Sequence, residues 1–444
     1  MTTKPLLERG SWSSMDAQAR ADLTTRGVQN IFDPALRESI VTIFEDVREN
    51  GDAAVIRALA KFDKCEIEPG RLKVSEEEFA QAREQIAPEL LAAIRDSIDH
   101  IRRFNEKLME HGTWSFEPEP GLTIGEKATP IASVGLFVPS GKGSYPSVLA
   151  QLGTPAVVAG VKRIVVVVPP VPGSGGKVDP ACLVVADELG LHDVYRVNGP
   201  AGIAALTFGT ETILKVDKVC GPGSPPVAAS QVEMQRYGTT GVMLLGPSES
   251  LILSDDSADV RLLAADLLNE AEHGPDSSSV LVTDSQELID QVQGELASQL
   301  LDLPEPRQGY ARKALGENGG VVLTRDLIEA AEVANTYAPE HMQIVARDDE
   351  AVLATIDNAG EILLGQYTTI SMGNYVLGCP AALPTSGYAK VGSGITADAF
   401  RKRTAVARAD KGALERLSKT VIAYTDHEGF PAHQAAVTRR LSAS

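Results

Sequence analysis

The sequence predicts an α/β protein with two doubly wound, Rossmann-like parallel sheets and helical extensions at both termini. From residue 131 onwards, short β-branched runs alternate with segments long enough to be helices. Strands separated by helices of this length form parallel sheets with crossover connections. The alternation occurs over residues 133–245 and again after residue 250, without a short-period repeat. The chain is therefore expected to contain two such units.

The first 120 residues are predicted to be helical. Residues 37–61 and 76–108 place apolar side chains three and four positions apart, with charged residues between them. This spacing is typical of amphipathic helices with one buried face.

The first α/β unit is predicted to contain five strands and four helices. The predicted strands are 133–138, 163–168, 193–197, 215–220 and 242–245. The predicted helices are 148–159, 180–189, 201–208 and 227–237.

The second unit continues the alternation. Its predicted strands are 251–253, 279–283, 321–324, 342–346 and 361–364, and its predicted helices are 259–272, 286–298 and 326–335. The tail from residue 397 is predicted to be helical. It ends in a helix over 431–441, because Pro431 suits a first helical position.

Composition and charge exclude several classes of protein. The 444 residues include 60 acidic and 41 basic side chains, a formal charge of −19, which argues against a nucleic-acid partner. No apolar run approaches the roughly 20 residues that a membrane span needs. The four cysteines show no CxxC spacing, so a disulfide framework is not expected. We expect a soluble cytoplasmic protein.

Two glycine-rich loops follow predicted strands. Residues 139–144 and 221–224 each precede a helix and could hold a phosphate at its N-terminus. Neither loop matches a Walker A or GxGxxG pattern, and glycine and proline also mark ordinary turns. Both interpretations stay open.

Three histidines stand near carboxylates. Glu270 and His273 are three residues apart, a spacing that places both side chains on one helix face, as in helix-borne metal pairs. Glu340 and His341 are adjacent at the start of a predicted strand and could act as acid and base. His433 begins the last helix. Taken alone, each pattern is more commonly explained by a solvated helix end or a solvated ion pair.

Eight short motifs taken together are more specific. They are VGLFVP at 134–139, GTET at 209–212, GPG at 221–223, GPSE at 246–249, DLLNEAEH at 266–273, YAPEH at 337–341, LPTSG at 383–387 and EGFPAH at 428–433. In order and spacing, this string resembles the histidinol dehydrogenase family from near residue 30 to the C-terminus. Composition and periodicity are compatible with the resemblance but do not show it.

The resemblance implies a fold of the histidinol dehydrogenase and aldehyde dehydrogenase kind, in a homodimer that exchanges helical extensions. Residues 1–30 would form an N-terminal helical extension and residues 389–444 a C-terminal dimerisation segment. Residues 31–132 together with 246–388 would form the domain that carries the metal and catalytic residues. Residues 133–245 would form the nucleotide-binding domain.

The resemblance also implies the chemistry. Members of the family use zinc and NAD to oxidise an amino alcohol through an aldehyde to the acid. By analogy, Glu340 would activate the attacking water and His341 would take the hydroxyl proton. Ser248 and Glu428 match substrate-contacting positions.

The implied metal ligands, which also contact the substrate, are Glu270, His273, Asn374 and His433. The family has glutamine and aspartate where this chain has Glu270 and Asn374, so the amide and the carboxylate have changed places. The set still holds one carboxylate, one amide and two imidazoles, and zinc remains chemically reasonable.

Other departures concern the substrate and the cofactor. Ala381 stands where the family has a histidine that contacts the substrate. Loss of such a hydrogen-bonding partner strongly reduces discrimination between substrates. The implied NAD-contact positions hold Phe137, Ala201 and Ser224 in place of tyrosine, glutamine and asparagine. NAD is therefore expected from the resemblance, with NADP as the alternative.

Three interpretations follow. The main one is a zinc-dependent, NAD-linked dehydrogenase of a small-molecule alcohol, an amino alcohol or polyol other than histidinol. The first alternative is a genuine L-histidinol dehydrogenase that recognises the imidazole with other residues. The second alternative is a catalytically silent member that binds a small molecule.

Overall fold

The computed structural model describes residues 4–26, 33–110, 112–139, 143–241 and 246–442. In chain order, the strands are β1 (Glu8–Ser11), β2 (Trp114–Glu119), β3 (Leu122–Pro130), β4 (Ser133–Phe137), β5 (Arg163–Val168), β6 (Val194–Arg196), β7 (Lys218–Cys220), β8 (Glu249–Ser254), β9 (Ser278–Thr283), β10 (Gly320–Leu323), β11 (His341–Val345), β12 (Glu361–Leu364) and β13 (Arg401–Ala409).

The α-helices are, in the same order, α1 (Ala17–Thr24), α2 (Pro34–Ala58), α3 (Glu76–Gln85), α4 (Pro88–Met109), α5 (Pro146–Val158), α6 (Pro180–Glu188), α7 (Gly199–Phe208), α8 (Pro225–Glu233), α9 (Val260–Ala271), α10 (Gln286–Gln299), α11 (Arg307–Lys313), α12 (Leu327–Tyr337), α13 (Asp349–Leu353), α14 (Ile370–Tyr375), α15 (Lys411–Glu428) and α16 (Pro431–Leu441). None of the helices in the described ranges is long and apolar enough to cross a membrane.

The first parallel sheet has four strands in the order β6-β5-β4-β7. In β5, Ile164, Val166 and Val168 pack against α5 and α6, whereas Val165 and Val167 pack against α2 and α7. Both faces of the strand are therefore covered, which explains why its sequence is continuously apolar instead of alternating.

The second parallel sheet has six strands in the order β1-β10-β9-β8-β11-β12. Ile252 and Leu281 on one face pack against α9 and α10, and Leu251 and Val280 on the other face pack against α12. Two parallel sheets, each with helices on both faces, confirm the predicted fold class.

A third, antiparallel sheet joins the tail to the body of the chain. Its order is β13-β3-β2, and β13 pairs with β3 over nine residues, from Arg401 opposite Pro130 to Ala409 opposite Leu122. Helices α15 and α16 follow, and α16 buries none of its residues. We call residues 401–442 the C-terminal arm.

The structure corrects several predictions. β1 lies in the predicted N-terminal helical extension, β2 lies in the predicted helical first 120 residues, and β13 lies in the predicted helical tail. The strands of the third sheet are largely exposed, so their sequence carries no core-facing alternation that would reveal them. The predicted strand 242–245 lies outside the described residues.

The expected grouping of residues 31–132 with 246–388 does not match the packing. Helices α2, α3 and α4 contribute apolar residues to the clusters on the two faces of the four-stranded sheet, not the six-stranded one. The amphipathic pattern predicts these helices correctly, but an apolar helix face does not show which sheet covers it.

Asp266 on α9 generates a prediction about stability. Burial raises the pKa of this carboxyl from 3.8 to about 6, and a hydrogen bond with Gln343 offsets the change only in part. The raised pKa means that Asp266 contributes stability below about pH 4, which is lost as the pH rises to about 6. The loss is at most about 3 kcal/mol.

We therefore expect Asp266→Asn to gain stability relative to the parent chain between about pH 4 and pH 7, measured as the shift in unfolding midpoint. Asp259→Asn is the control. Hydrogen bonds from Arg261 lower the pKa of Asp259 to about 2, so the stability that its charge contributes is lost only below about pH 4, and the shift for this variant should change little between pH 4 and pH 7. An identical Asp266→Asn shift at both pH values would contradict the prediction.

Candidate functional site

The two parallel sheets border a cleft of about 340 Å³. The four-stranded sheet contributes its carboxyl edge, with Pro139 just after β4 and Pro222 after β7. The six-stranded sheet contributes its amino edge, with Ser248 just before β8 and Glu340 just before β11. The cleft is therefore lined by opposite edges of two sheets.

His341 lies at the centre of a buried cluster of carboxylates. It is the first residue of β11 and stands in register with Glu361, the first residue of the neighbouring parallel strand β12. The Nδ1 atom of His341 is 2.5 Å from Oε1 of Glu361. The Nε2 atom is 3.8 Å from Oε1 of Glu340, so the ring lies between two carboxylates.

The pKa values of this group are strongly perturbed. Burial raises the pKa of Glu340 to about 8, although the charge of His341 opposes the change. Burial alone would lower the pKa of His341, but Glu340, Glu270 and Glu361 outweigh it and raise the value to about 10. His341 thus retains its proton at neutral pH unless another cation reduces the negative charge around it.

A buried ion pair holds Glu340 in place. Oε2 of Glu340 accepts a hydrogen bond from the backbone N–H of Glu249 at 3.0 Å. The Glu249 carboxylate accepts two hydrogen bonds from Arg26, at 3.0 and 2.7 Å, and one from the backbone N–H of Ser386 at 2.6 Å. Arg26 also donates to the carbonyl oxygen of Tyr337 at 3.0 Å.

Three of the four predicted metal ligands converge on the cleft. Glu270 and His273 belong to α9 and the turn that follows it, and Asn374 belongs to α14. Nδ2 of Asn374 donates to Oε1 of Glu270 at 3.1 Å. Nδ1 of His273 is 3.2 Å from Oε2 of Glu270, yet this buried nitrogen makes no hydrogen bond.

These donors fit a metal in part. A carboxylate, an amide and an imidazole with an unsatisfied buried nitrogen are a reasonable partial zinc set. Within the described residues, however, no group of three or more His, Cys, Asp or Glu side chains could hold a metal. A further donor from outside this group is required.

The predicted residues of the tail do not reach the cleft in one chain. Glu428 ends α15 and His433 lies on α16, and both are exposed on the C-terminal arm. Neither is among the residues that line the cleft.

Of the three predicted cofactor contacts, one lies at the cleft. Ser224 lines it, and its hydroxyl makes no capping hydrogen bond at the start of α8. Phe137 and Ala201 are 1% and 4% exposed and pack in the core of the four-stranded sheet, so the structure does not support contact through these side chains. Side chains alternate between the two faces of β4, and Phe137 lies on a face that packs in the core, away from the cleft.

The loop over residues 221–224 has the geometry of a turn rather than a phosphate site. Pro225 and Pro226 open α8 and carry no N–H group, and the N–H of Val227 already bonds to the Ser224 carbonyl at 2.8 Å. The free backbone donors that bind phosphate at a helix N-terminus are therefore missing here. The loop over 139–144 lies partly outside the described residues.

Sequence reasoning missed Glu361 and Arg26. Glu361 could have been noticed because it is a glutamate at the start of an otherwise apolar strand. The first residue of the neighbouring strand is His341, and the two side chains meet only when the strands pair in one particular register. Nothing local marked Arg26, whose partners are more than 200 residues away.

Two Rossmann-like units around a cleft with a buried cluster of histidine and glutamates are an arrangement typical of two-domain α/β enzymes. A histidinol dehydrogenase family model matches residues 28–441. The chain is 40% identical to a "Histidinol dehydrogenase homolog 2" of Mesorhizobium japonicum, over 96% of each chain. It is also 40% identical to a histidinol dehydrogenase of Synechocystis sp., over 96% of this chain and 98% of the relative.

A solved structure shows the same architecture. The crystal structure of a histidinol dehydrogenase from Elizabethkingia anophelis superposes with a TM-score of 0.93 at 31% identity and covers 99% of both chains. The chain belongs to the histidinol dehydrogenase family, a family of NAD-dependent oxidoreductases.

The Arg26–Glu249 pair yields the next prediction. Arg26→Met leaves a buried carboxylate without its counter-charge, which typically costs about 3–5 kcal/mol. We expect a correspondingly lower unfolding midpoint in denaturant.

The control is Arg37→Met. Arg37 is exposed where it pairs with Glu233, so its loss should cost no more than about 1 kcal/mol. Equal effects of the two substitutions would show that the buried pair does not stabilise the chain.

Proposed function

We propose that the chain is a zinc-dependent, NAD-linked dehydrogenase that oxidises an alcohol through an aldehyde to an acid, and that L-histidinol is the first substrate to test. One observation carries the proposal. The acid–base pair Glu340–His341 and the donors Glu270, His273 and Asn374 face the same cleft. Such a cleft can bind an alcohol while a buried base removes its proton.

Glu270, His273 and Asn374 are the residues that would hold zinc. Zinc, when bound, orients the hydroxyl and amine of the substrate and favours loss of the hydroxyl proton. Glu270 is among the carboxylates that raise the pKa of both Glu340 and His341. A cation held at Glu270 would reduce that effect, and Glu340 and His341 would then accept protons more readily.

The fourth ligand would come from a second copy of the chain. His433 and Glu428 lie on an arm that one chain leaves exposed, with Trp114 and Phe116 on the same sheet 48% and 52% exposed. In the proposed homodimer, the arm of each protomer would cover its partner and bring these residues to the partner's cleft.

The proton transfers are assigned to the buried pair. His341 presents Nε2 toward the cleft and would take the hydroxyl proton in the alcohol step. Glu340, anchored by the Glu249 N–H, would activate the water that attacks the aldehyde. Ser224, whose hydroxyl lines the cleft and makes no capping hydrogen bond, would contact the nicotinamide cofactor, which would supply the hydride acceptor for both oxidations.

A specific observation favours a second candidate substrate. Ala381 lines the cleft and offers no side-chain hydrogen bond. Another amino alcohol or a polyol would not need the interaction that an imidazole loses there.

The deciding experiment measures NADH formation by zinc-loaded protein with L-histidinol and a panel of amino alcohols and polyols, repeated with NADP. Turnover of histidinol supports the first candidate, and turnover of another alcohol alone supports the second. Zinc binding without turnover of any member would favour a silent small-molecule binder.

The metal assignment predicts the result of Glu270→Ala. Removing the carboxylate from a site with two remaining donors in the chain should reduce zinc below one equivalent per protomer, measured by elemental analysis of the purified protein. Glu272→Ala, two residues away and outside the cleft lining, is the matched control. Full zinc occupancy in Glu270→Ala would show that Glu270 is not a zinc ligand.

The role of Glu340 predicts an asymmetry between the two oxidations. Glu340→Gln should slow oxidation of the supplied aldehyde on the order of a hundredfold, with a smaller effect on alcohol oxidation followed in single turnover. Equal slowing of both steps would argue that Glu340 does not act on the water.

A further inference from the structure

We infer that Glu361 is a positioning residue for His341: it holds the ring so that Nε2 faces the cleft. The inference rests on the proposed function only in treating His341 as the base. Its geometry does not depend on the identity of the substrate.

The contact is built into the sheet. His341 and Glu361 begin neighbouring parallel strands and stand directly opposite each other. Their side chains are 3% and 4% exposed, and Nδ1 lies 2.5 Å from Oε1. Because parallel pairing fixes the register of both residues, the ring and the carboxylate are brought together without a mobile loop.

The chemistry of the contact determines which nitrogen can act. An ionised carboxylate only accepts hydrogen bonds, so Nδ1 must carry the hydrogen. In a neutral ring, the lone pair then belongs to Nε2, which faces Glu340 and the cleft. Without Glu361, nothing else among the described residues hydrogen-bonds to this ring.

Glu361 is only partly satisfied where it lies. Its second oxygen, Oε2, is buried and has no hydrogen-bond partner, which is unfavourable for a carboxylate. The surrounding backbone nevertheless leaves room for it, since a Cβ at Gly373 would lie 2.9 Å from Oε1. The one hydrogen bond that the carboxylate makes within the described ranges is to the proposed base, which is the arrangement expected of a group that serves that base.

The first test compares Glu361→Gln, Glu361→Asp and Glu329→Gln. A glutamine keeps one carbonyl oxygen that can accept, but it lacks the negative charge, and its amide can instead donate to Nδ1, which moves the proton of the neutral ring to Nε2. We expect kcat to fall about a hundredfold or more with KM within about threefold. Glu361→Asp keeps a carboxylate, which can only accept, and should retain more activity than Glu361→Gln.

Glu329→Gln is the matched control. Glu329 is also a buried glutamate of the six-stranded domain, but it lies on α12, away from the cleft lining, and pairs with Arg325, which precedes that helix. It should keep parental activity. Activity of Glu361→Gln within about threefold of the parent would overturn the inference.

The second test needs no substrate. In ¹⁵N-histidine-labelled protein, a proton held between Nδ1 and a carboxylate at this distance gives a far-downfield proton resonance, assigned to His341 by its loss in His341→Gln. The chain has seven histidines, so the spectrum is tractable. The resonance should disappear in Glu361→Gln and persist in Glu329→Gln.

The two measurements separate the inference from the proposed function. Loss of the resonance in Glu361→Gln supports the positioning role even if the parent chain oxidises none of the alcohols tested. A resonance that persists in Glu361→Gln shows that Glu361 does not hold His341, whatever the activity of the parent.

Discussion

The site depends on the burial of four carboxylates, those of Glu249, Glu270, Glu340 and Glu361, around one histidine at the amino edge of the six-stranded sheet. Like charges in a low-dielectric interior repel strongly unless cations or protons compensate them. Arg26 compensates Glu249, and His341 lies between two of the others. Glu270 has no arginine or lysine partner among the described residues; it accepts from the amides of Asn269 and Asn374 and lies beside the partly exposed imidazole of His273.

The ion pair between Arg26 and Glu249 also connects distant parts of the chain. Arg26 belongs to the N-terminal segment, yet its contacts fix Glu249, whose N–H fixes Glu340 and whose carboxylate accepts from Ser386. β1 adds the same N-terminal segment to the edge of the sheet. The N-terminal segment is therefore part of the six-stranded domain, and the orientation of Glu340 depends on residues that are far away in sequence.

Much of the fold could be predicted because both parallel sheets are covered on each face, and their strands are short apolar runs between helices. The third sheet was not predictable in this way, because β2 and β13 are exposed, β3 between them is only partly buried, and no buried face imposes an apolar period on them. Glu340 and His341 could be found because they are adjacent, and Glu270 and His273 because they share a helix turn. Glu361 and Arg26 act through strand register and a long-range ion pair, which local patterns do not encode.

The position of the cleft follows from how the two units face each other. Doubly wound sheets usually bind ligands beyond the carboxyl ends of their strands, and the four-stranded sheet does contribute that edge. The six-stranded sheet contributes its amino edge, where Ser248, Ser277 and Glu340, each just before a strand, and His341, the first residue of β11, line the cleft. A neutral or cationic alcohol held between the two edges would meet carboxylates and imidazoles from one side and a cofactor from the other. On the proposed function, this division lets one domain bind the hydride acceptor while the other supplies proton transfer. The six-stranded domain, which would carry out the proton transfers, would then depend on rigidly held buried charges and not on a phosphate-binding loop.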